Sequence, residues 1–539
     1  MRIKTPFLTR NLILLFLFIT NFLIAQESSD EQKFAPEGWH NYDHAKQLYN
    51  GVSTAEAYAL LEGKKSETVI VAVIDSGVDV DHEDLQGSIW VNEDEVPGNG
   101  IDDDKNGYVD DVNGWNFLGP VKEDTYEVTR LFVKYHKIFG DKTAEEISKT
   151  DQKEYELYQK LKRELDSQLA KNREQYTMID NFYQVYTKAL RLIRAYLDTE
   201  EITLGNLNKL NSPDHKVTGA RDILKYGFEL DVSEELLFEQ REHFRVIIEY
   251  GYNVDFDPRY LVGDDFEDAY QKYYGDNNVK GFASHGTQVA GVIAAQRNNG
   301  IGINGIADNV KIMVLRAVPD GDERDKDVAN AIIYAVDNGA DIINMSFGKR
   351  FSPRKEAVDK AIAYADSKGV LMIHASGNDS KDVDITSNFP AKYYSNTKKY
   401  AKGWLEIGAS SWGAEDNFVA TFSNYGKKTV DVFAPGVAIH TTSPDNEYKS
   451  VDGTSFACPL TAGVAALIMS YFPNLTSTEV RDVIVKSAVD FKDLEVNKPA
   501  GHDKEAETVK FGDLSATGGI VNAYEAVKLA SSMTVGKKD

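Results

Sequence analysis

Thr68-Val69-Ile70-Val71-Ala72-Val73-Ile74-Asp75-Ser76-Gly77 is the stretch that decides the fold. From Thr68 to Ile74 the run is apolar and largely β-branched. It lacks the alternation of a strand with one wet face, so it reads as a strand buried on both faces. Working outward, similar short runs recur at Val310 to Leu315, Ile342 to Met345, Val370 to Ile373, Leu405 to Ala409 and Val430 to Phe433. Helical patterns at Val328 to Val336 and Ala357 to Ala365 fall between them. Strands alternating with helices predict an α/β fold, with a doubly wound, mostly parallel sheet.

One region breaks that rhythm. Residues 121–276 are charged, rich in tyrosine and helical in period. Ile179, Phe182, Tyr186, Ala189, Ile193 and Tyr196 mark one apolar stripe, and Leu157, Leu161, Leu165 and Leu169 step by four. Asp231 with Glu234 resembles a capping box that opens a further helix. The region reads as an inserted α-helical subdomain that divides the α/β domain into residues 66–120 and 277–530. A chain of 539 residues fits that division, because single cores stop growing near ~250–300 residues.

Arg2, Lys4 and Arg10 precede an apolar run from Leu12 to Ala25. That run is shorter than the ~18–20 residues of a spanning helix and ends on a small residue. Residues 1–25 therefore read as a secretory signal peptide, cut after Ala25. The expectation is an exported protein, extracellular or periplasmic, with no stable membrane insertion after signal cleavage. Residues 26–65 form a polar N-terminal segment with a short helical pattern at Ser53 to Leu61, and residues 531–539 a C-terminal tail. With Cys458 as its one cysteine, the chain has no intrachain disulfide. The net charge of -25, from 85 acidic and 60 basic residues, repels phosphate backbones and argues against nucleic acid as a partner. The same carboxylates suit hard cations.

Three segments carry chemistry. Val73-Ile74-Asp75-Ser76-Gly77 sets a carboxylate at the carboxyl end of a buried strand, where sites form in open α/β sheets. Ser284-His285-Gly286-Thr287-Gln288-Val289-Ala290-Gly291 opens a helix of small residues with a histidine. Asp452-Gly453-Thr454-Ser455-Phe456-Ala457-Cys458-Pro459 sets Ser455 at a helix N-terminus, whose free N–H groups favour developing negative charge. Taken singly, such an aspartate or serine is commonly a cap, and one histidine among ten is commonly structural.

Together the three resemble the subtilisin family of serine peptidases. The order Asp, His, Ser is that family's order, whereas an α/β-hydrolase runs serine first. The resemblance implies a subtilisin-like fold that acts on polypeptide substrates. Ser455 would be the nucleophile, His285 the general base and Asp75 the residue that orients it. Ala375-Ser376-Gly377-Asn378-Asp379 resembles the family segment with an oxyanion asparagine, which implies that role for Asn378 beside the Ser455 backbone N–H. Asn344-Met345-Ser346-Phe347-Gly348 resembles the strand that pairs with substrate, so Ser346, Phe347 and Gly348 are expected there. Ser376 and Gly377 are expected to wall the specificity pocket. Asn388-Phe389-Pro390-Ala391 and Phe422-Ser423-Asn424-Tyr425-Gly426 match further landmarks and read as structural turns. Phe456 replaces the usual methionine and Leu460 a common histidine, neither in the catalytic set. A pseudoenzyme would need a lost catalytic residue and none is missing, while a transpeptidase would share the triad.

No cofactor is expected for catalysis, and calcium is the candidate structural ion. In Ile101 to Asp111, side-chain oxygens at Asp102, Asp104 and Asn106 alternate and Gly107 follows, in the manner of a calcium loop, with Asp110 beyond. Asn113 stands where such a loop has a bidentate glutamate, so a solvated acidic loop fits the same residues. Asp84 and Asn299 match a calcium site of the family.

Overall fold

The stretch Val69–Asp75 forms β1, an interior strand third from one edge of a nine-stranded sheet in the computed structural model. The structure describes residues 35–535 apart from 231, 282–283, 396, 398, 414–416 and 502–505. The expected signal peptide and Asp231 lie outside the described residues. The other strands follow as β2 (Gly114–Asn116), β3 (Val310–Arg316), β4 (Ile342–Met345), β5 (Leu371–Ala375), β6 (Trp404–Ser410) and β7 (Val432–Pro435). After them come β8 (Ile439–Ser443), β9 (Glu447–Val451), β10 (Val489–Asp490), β11 (Glu495–Asn497), β12 (Thr508–Lys510) and β13 (Gly519–Ile520). The sheet order is β10-β13-β7-β6-β5-β4-β1-β3-β2, and β8–β9 and β11–β12 form separate two-stranded pairs. Within the large sheet only β10 against β13 is antiparallel. The α/β fold class expected from the sequence is met.

Alternate residues of β1 feed two cores, as the strand period of two requires. Val69, Val71 and Val73 face a layer with the helices His285–Ala294 and Thr454–Tyr471. Ala72 and Ile74 face the layer of Asp325–Asp337 and Lys355–Ser367. The helix Thr454–Tyr471 is apolar and long enough to cross a membrane, yet 83% of it is buried. It is a core helix of this sheet. The N-terminal segment joins the same core through Trp39, Val52, Ala57 and Leu61. The last helix continues to Val535, so the tail expected from residue 531 begins inside it. Ala526, Val527 and Ala530 keep that helix on the core.

The chain divides into two compact units, one comprising Val128–Phe256 and the other the described residues on either side of it. The helical unit is narrower at both ends than the boundaries 121–276. The flanks are tied to the sheet unit by ion pairs to a buried arginine. Arg324 donates to Asp124 (2.7 and 2.9 Å) and to Asp257 (2.9 Å), so one guanidinium holds both flanks. The helical unit carries a 46-residue helix, Gln152–Leu197, about 70 Å long. Phe182, Tyr186, Ala189 and Ile193 on that helix pack with Leu207, Val217, Leu224 and Leu237. Its helix Glu234–Val246 is capped by Ser233, whose hydroxyl accepts from Leu236 N–H at 3.0 Å.

Candidate active site

The site is built at the carboxyl ends of β1, β4 and β5. Asp75 is the last residue of β1 and is buried. Its Oδ1 accepts from the Ser76 N–H at 2.7 Å and lies 2.8 Å from His285 Nδ1. Its Oδ2 is buried without a hydrogen-bond partner among the described residues. His285 is the first residue of its helix and 36% of its side chain is exposed. Burial alone would lower the imidazole pKa, but the Asp75 charge and hydrogen bond outweigh it, so the value is raised above the usual one. Close approach brings the pair together: a Cβ at Gly286 would lie 2.1 Å from the Gly77 carbonyl.

Ser76 is the joint beneath this pair. Its hydroxyl accepts from Gly286 N–H at 3.2 Å, and its carbonyl accepts from Arg316 Nε at 3.2 Å. Arg316 ends β3 opposite Asp75 and also donates to Asn116 Oδ1 and the Gly119 carbonyl, each at 2.9 Å. Burial pulls its pKa down against the charges of Asp276 and Asp320.

Ser455 lies in the first turn of Thr454–Tyr471, where backbone N–H groups are free of intrahelical partners. Its hydroxyl donates to the Ser346 carbonyl at 3.0 Å. Pro459 has no N–H and leaves the Ser455 carbonyl, four residues back, without its helical partner. The Ser346 hydroxyl donates to it at 2.9 Å instead. Nucleophile candidate and substrate-strand candidate are thereby tied together at two points. The His285 ring lies 5.5 Å from that of Phe456.

Asn378 follows β5. Its Oδ1 accepts from Thr454 N–H (3.0 Å) and the Thr454 hydroxyl (2.8 Å), which leaves Nδ2 as the atom free to donate. Gly377, at φ 100, donates to the same hydroxyl at 3.2 Å. A Cβ there would sit 2.5 Å from Asn424 Nδ2. Two asparagines read as turn residues have a further task. Asn388 donates to the carbonyls of Ala375 (3.1 Å) and Ser376 (3.0 Å), and Asn424 to that of Ser376 (2.8 Å). They brace the backbone at Ala375 and Ser376, which neither motif reveals by itself. Cys458, three residues after Ser455, is buried and donates to Asn344 Oδ1, and burial pushes its thiol pKa far up. It is inert.

The acidic loop is arranged differently from its sequence pattern. Oxygens of Glu95, Asp104 and Asp111 lie within 4.8 Å of one another. Asp102 turns back on the N–H groups of Asn106 and Gly107, and Asp110 on those of Asn99 and Gly100. Asn106 donates through Nδ2 to Asp104 and Asp111, both at 2.9 Å. Glu95 precedes the run from Ile101 to Asp111, and Asp111 ends it just past the alternating Asp102, Asp104 and Asn106. Asp111 also accepts from the Tyr334 hydroxyl, and burial, with the Asp104 charge adding to it, pushes its carboxyl pKa up. Asp84 lies apart from this cluster, accepting from Asn299 Nδ2 (2.7 Å) and Ile303 N–H (2.9 Å).

A family model described as the subtilase family matches residues 66–503. Thermophilic serine proteinase of Bacillus sp. (strain AK1) is 37% identical over 235 residues, 43% of this chain and 52% of that protein. Alkaline elastase YaB of Bacillus sp. (strain YaB) is 33% identical over 255 residues, 47% of this chain and 58% of that protein. Subtilisin DY of Bacillus licheniformis is 36% identical over 213 residues, 39% of this chain and 72% of that protein. The chain thus spans just over half the length of the first two relatives.

Proposed function

The chain belongs to the subtilase family, and from that premise we propose that it is an exported serine endopeptidase acting on polypeptides through an acyl-enzyme on Ser455. The observation that carries the reading is the 2.8 Å contact between Asp75 Oδ1 and His285 Nδ1. A carboxylate on Nδ1 fixes the tautomer and leaves Nε2 to take a proton. Ser455 turns its hydroxyl from the Ser346 carbonyl to His285 Nε2 and attacks the scissile carbonyl carbon. Negative charge gathers on the carbonyl oxygen, where Asn378 Nδ2 and the Ser455 N–H donate. The imidazolium returns its proton to the leaving amine. Water, deprotonated by the same Nε2, then attacks the acyl carbon, the bond to Ser455 Oγ breaks, and the imidazolium reprotonates that oxygen as the acid leaves. The raised His285 pKa shifts the acid limb of activity upward relative to a free imidazole, because only the neutral ring accepts the proton.

Ser455→Ala should bring casein hydrolysis to background with an unchanged melting curve. Activity near that of the parent protein would overturn the assignment. Calcium fits Glu95, Asp104 and Asp111, whose clustered, partly buried charges call for a hard cation. Its role is structural, with no part in a chemical step. Millimolar calcium should raise the melting midpoint relative to chelator, by mass action on the native state. An equal rise in Asp104→Ala would place the ion elsewhere. Export follows from residues 1–25 and predicts a mature N-terminus at Gln26.

A further inference from the structure

A second carboxylate–imidazole pair lies behind the substrate-strand candidate, and the mechanism above leaves it unused. His374 on β5 is fully buried, and Glu406, its cross-strand partner on β6, is 3% exposed. His374 Nδ1 lies 2.9 Å from Glu406 Oε1, and Glu406 Oε2 accepts from Trp404 Nε1 at 2.9 Å. The other ring nitrogen, Nε2, lies 2.8 Å from the Phe347 carbonyl. A carbonyl only accepts, so Nε2 carries a hydrogen. The contact between Nδ1 and Oε1 needs a proton as well, so the pair holds two and carries no net charge.

The place of this bond matters. The ladder between β4 and β5 ends at Met345 opposite His374, and there the chain leaves the sheet for the site. Beyond that point the imidazole joins the Ser346–Ser455 bonds and the backbone pairing of Lys349 with Phe389 in holding the strand. In a trans peptide the carbonyl of one residue and the N–H of the next point in opposite directions. A Phe347 carbonyl held inward by His374 therefore turns the Gly348 N–H outward, and Gly348 is exposed. Buried charged pairs are often replaceable by apolar residues without loss of stability, so packing alone is a weak reason for one here.

We propose that His374 and Glu406 act as positioning residues that present the Gly348 N–H to a main-chain carbonyl of an extended polypeptide substrate. The proposal rests on the peptidase reading. It implies that the pair matters for substrates long enough to reach Gly348 and not for the chemistry at Ser455.

The test compares a single-residue acyl ester with a tetrapeptide anilide on three proteins: the parent, His374→Gln, and the double variant His374→Ala with Glu406→Ala. The double variant should lose about tenfold in kcat/KM on the tetrapeptide, mainly through KM, the worth of one hydrogen bond. Its ester hydrolysis should stay within about twofold. Glutamine can place its amide nitrogen near the imidazole Nε2, so His374→Gln should regain most of the loss. Equal losses on both substrates, or a glutamine variant no better than the double alanine, would overturn the proposal. Should the alanine variant fail to fold, amide exchange on the parent decides. A bound tetrapeptidyl aldehyde should slow exchange at Gly348 at least about tenfold, the same hydrogen bond seen from the other side. Unchanged exchange there would overturn the proposal. An inactive parent, or a fully active Ser455→Ala, would sink the peptidase reading instead, and the two failures are thereby distinct.

Discussion

In the helical unit Arg241 meets Asp180 at 2.6 Å with roughly a quarter of each side chain still exposed. In the sheet unit Lys326 meets Asp264 at 2.5 Å with neither side chain exposed. Further pairs repeat the contrast, although the sheet unit also has exposed pairs such as Lys360–Glu356 and Lys492–Asp490. Arg194–Glu234, Arg221–Asp222 and Arg245–Glu249 all lie at the surface of Val128–Phe256. Arg259–Asp327, Arg324–Asp124 and Lys349–Glu127 are buried in the sheet unit. The buried set clusters where the chain leaves and re-enters the sheet unit between Asp75 and His285, which are 210 residues apart. Arg259 reaches Asp264 and Asp327, Lys326 also donates to the Asp265 carbonyl, and Tyr274 donates to Asp327 at 2.7 Å. Charge there acts as a directional fastening for irregular backbone. The helical unit, built from regular hydrogen-bonded turns, needs only an apolar stripe.

That contrast is open to direct attack. The largest effect is expected from Asp264→Ala, which leaves Arg259 and Lys326 buried without one of their anions and should cost about 3–5 kcal/mol of stability. A loss below 1 kcal/mol by denaturant titration would mean water reaches the cluster. Ile193→Ala in the helical core should cost about 2–5 kcal/mol by the cavity it leaves. Exchange protection should fall over 182–237 and the rate of Ser455 acylation by a sulfonyl fluoride should not change. A slowed acylation would show that the helical core supports the site.

His40 offers a pH test. It is buried, and burial, with His440 nearby adding to it, pulls its pKa down to about 4. Its folded value lies below the unfolded one, so stability is full above the ordinary imidazole range. Stability falls as acid is added down to about pH 4, by up to roughly 3 kcal/mol. His40→Leu should remove that slope, and a slope that survives would assign it to other groups. The smallest effect belongs to the surface. Arg241→Gln should cost at most ~1 kcal/mol and lose even that in high salt. A larger loss would show that the helical unit too relies on its charges.

Asp75, His285 and Ser455 were legible as candidates because each sits in a motif at the end of an apolar element. The two-face burial of β1 could be read from its lack of alternation. The carboxylate cluster was less legible: alternation drew attention to Asp102, Asp104 and Asn106, with Asp110 beyond, while the oxygens that converge belong to Glu95, Asp104 and Asp111. A loop's backbone donors decide which carboxylates turn inward, and those donors carry no side-chain signature.

By itself the sequence determined the layer architecture, because the period of apolar residues fixes which faces must be covered. It also determined the chemical types available at the carboxyl edge of the sheet. The tertiary structure alone decided that the flanks 121–127 and 257–276 belong to the sheet unit, that Ser346 satisfies the carbonyl freed by Pro459, and that His374 holds Phe347. Each of these depends on a polar group finding one partner far along the chain. Hydrogen bonds and buried charges are directional and short-ranged, so their pairing is settled only when packing brings the partners together.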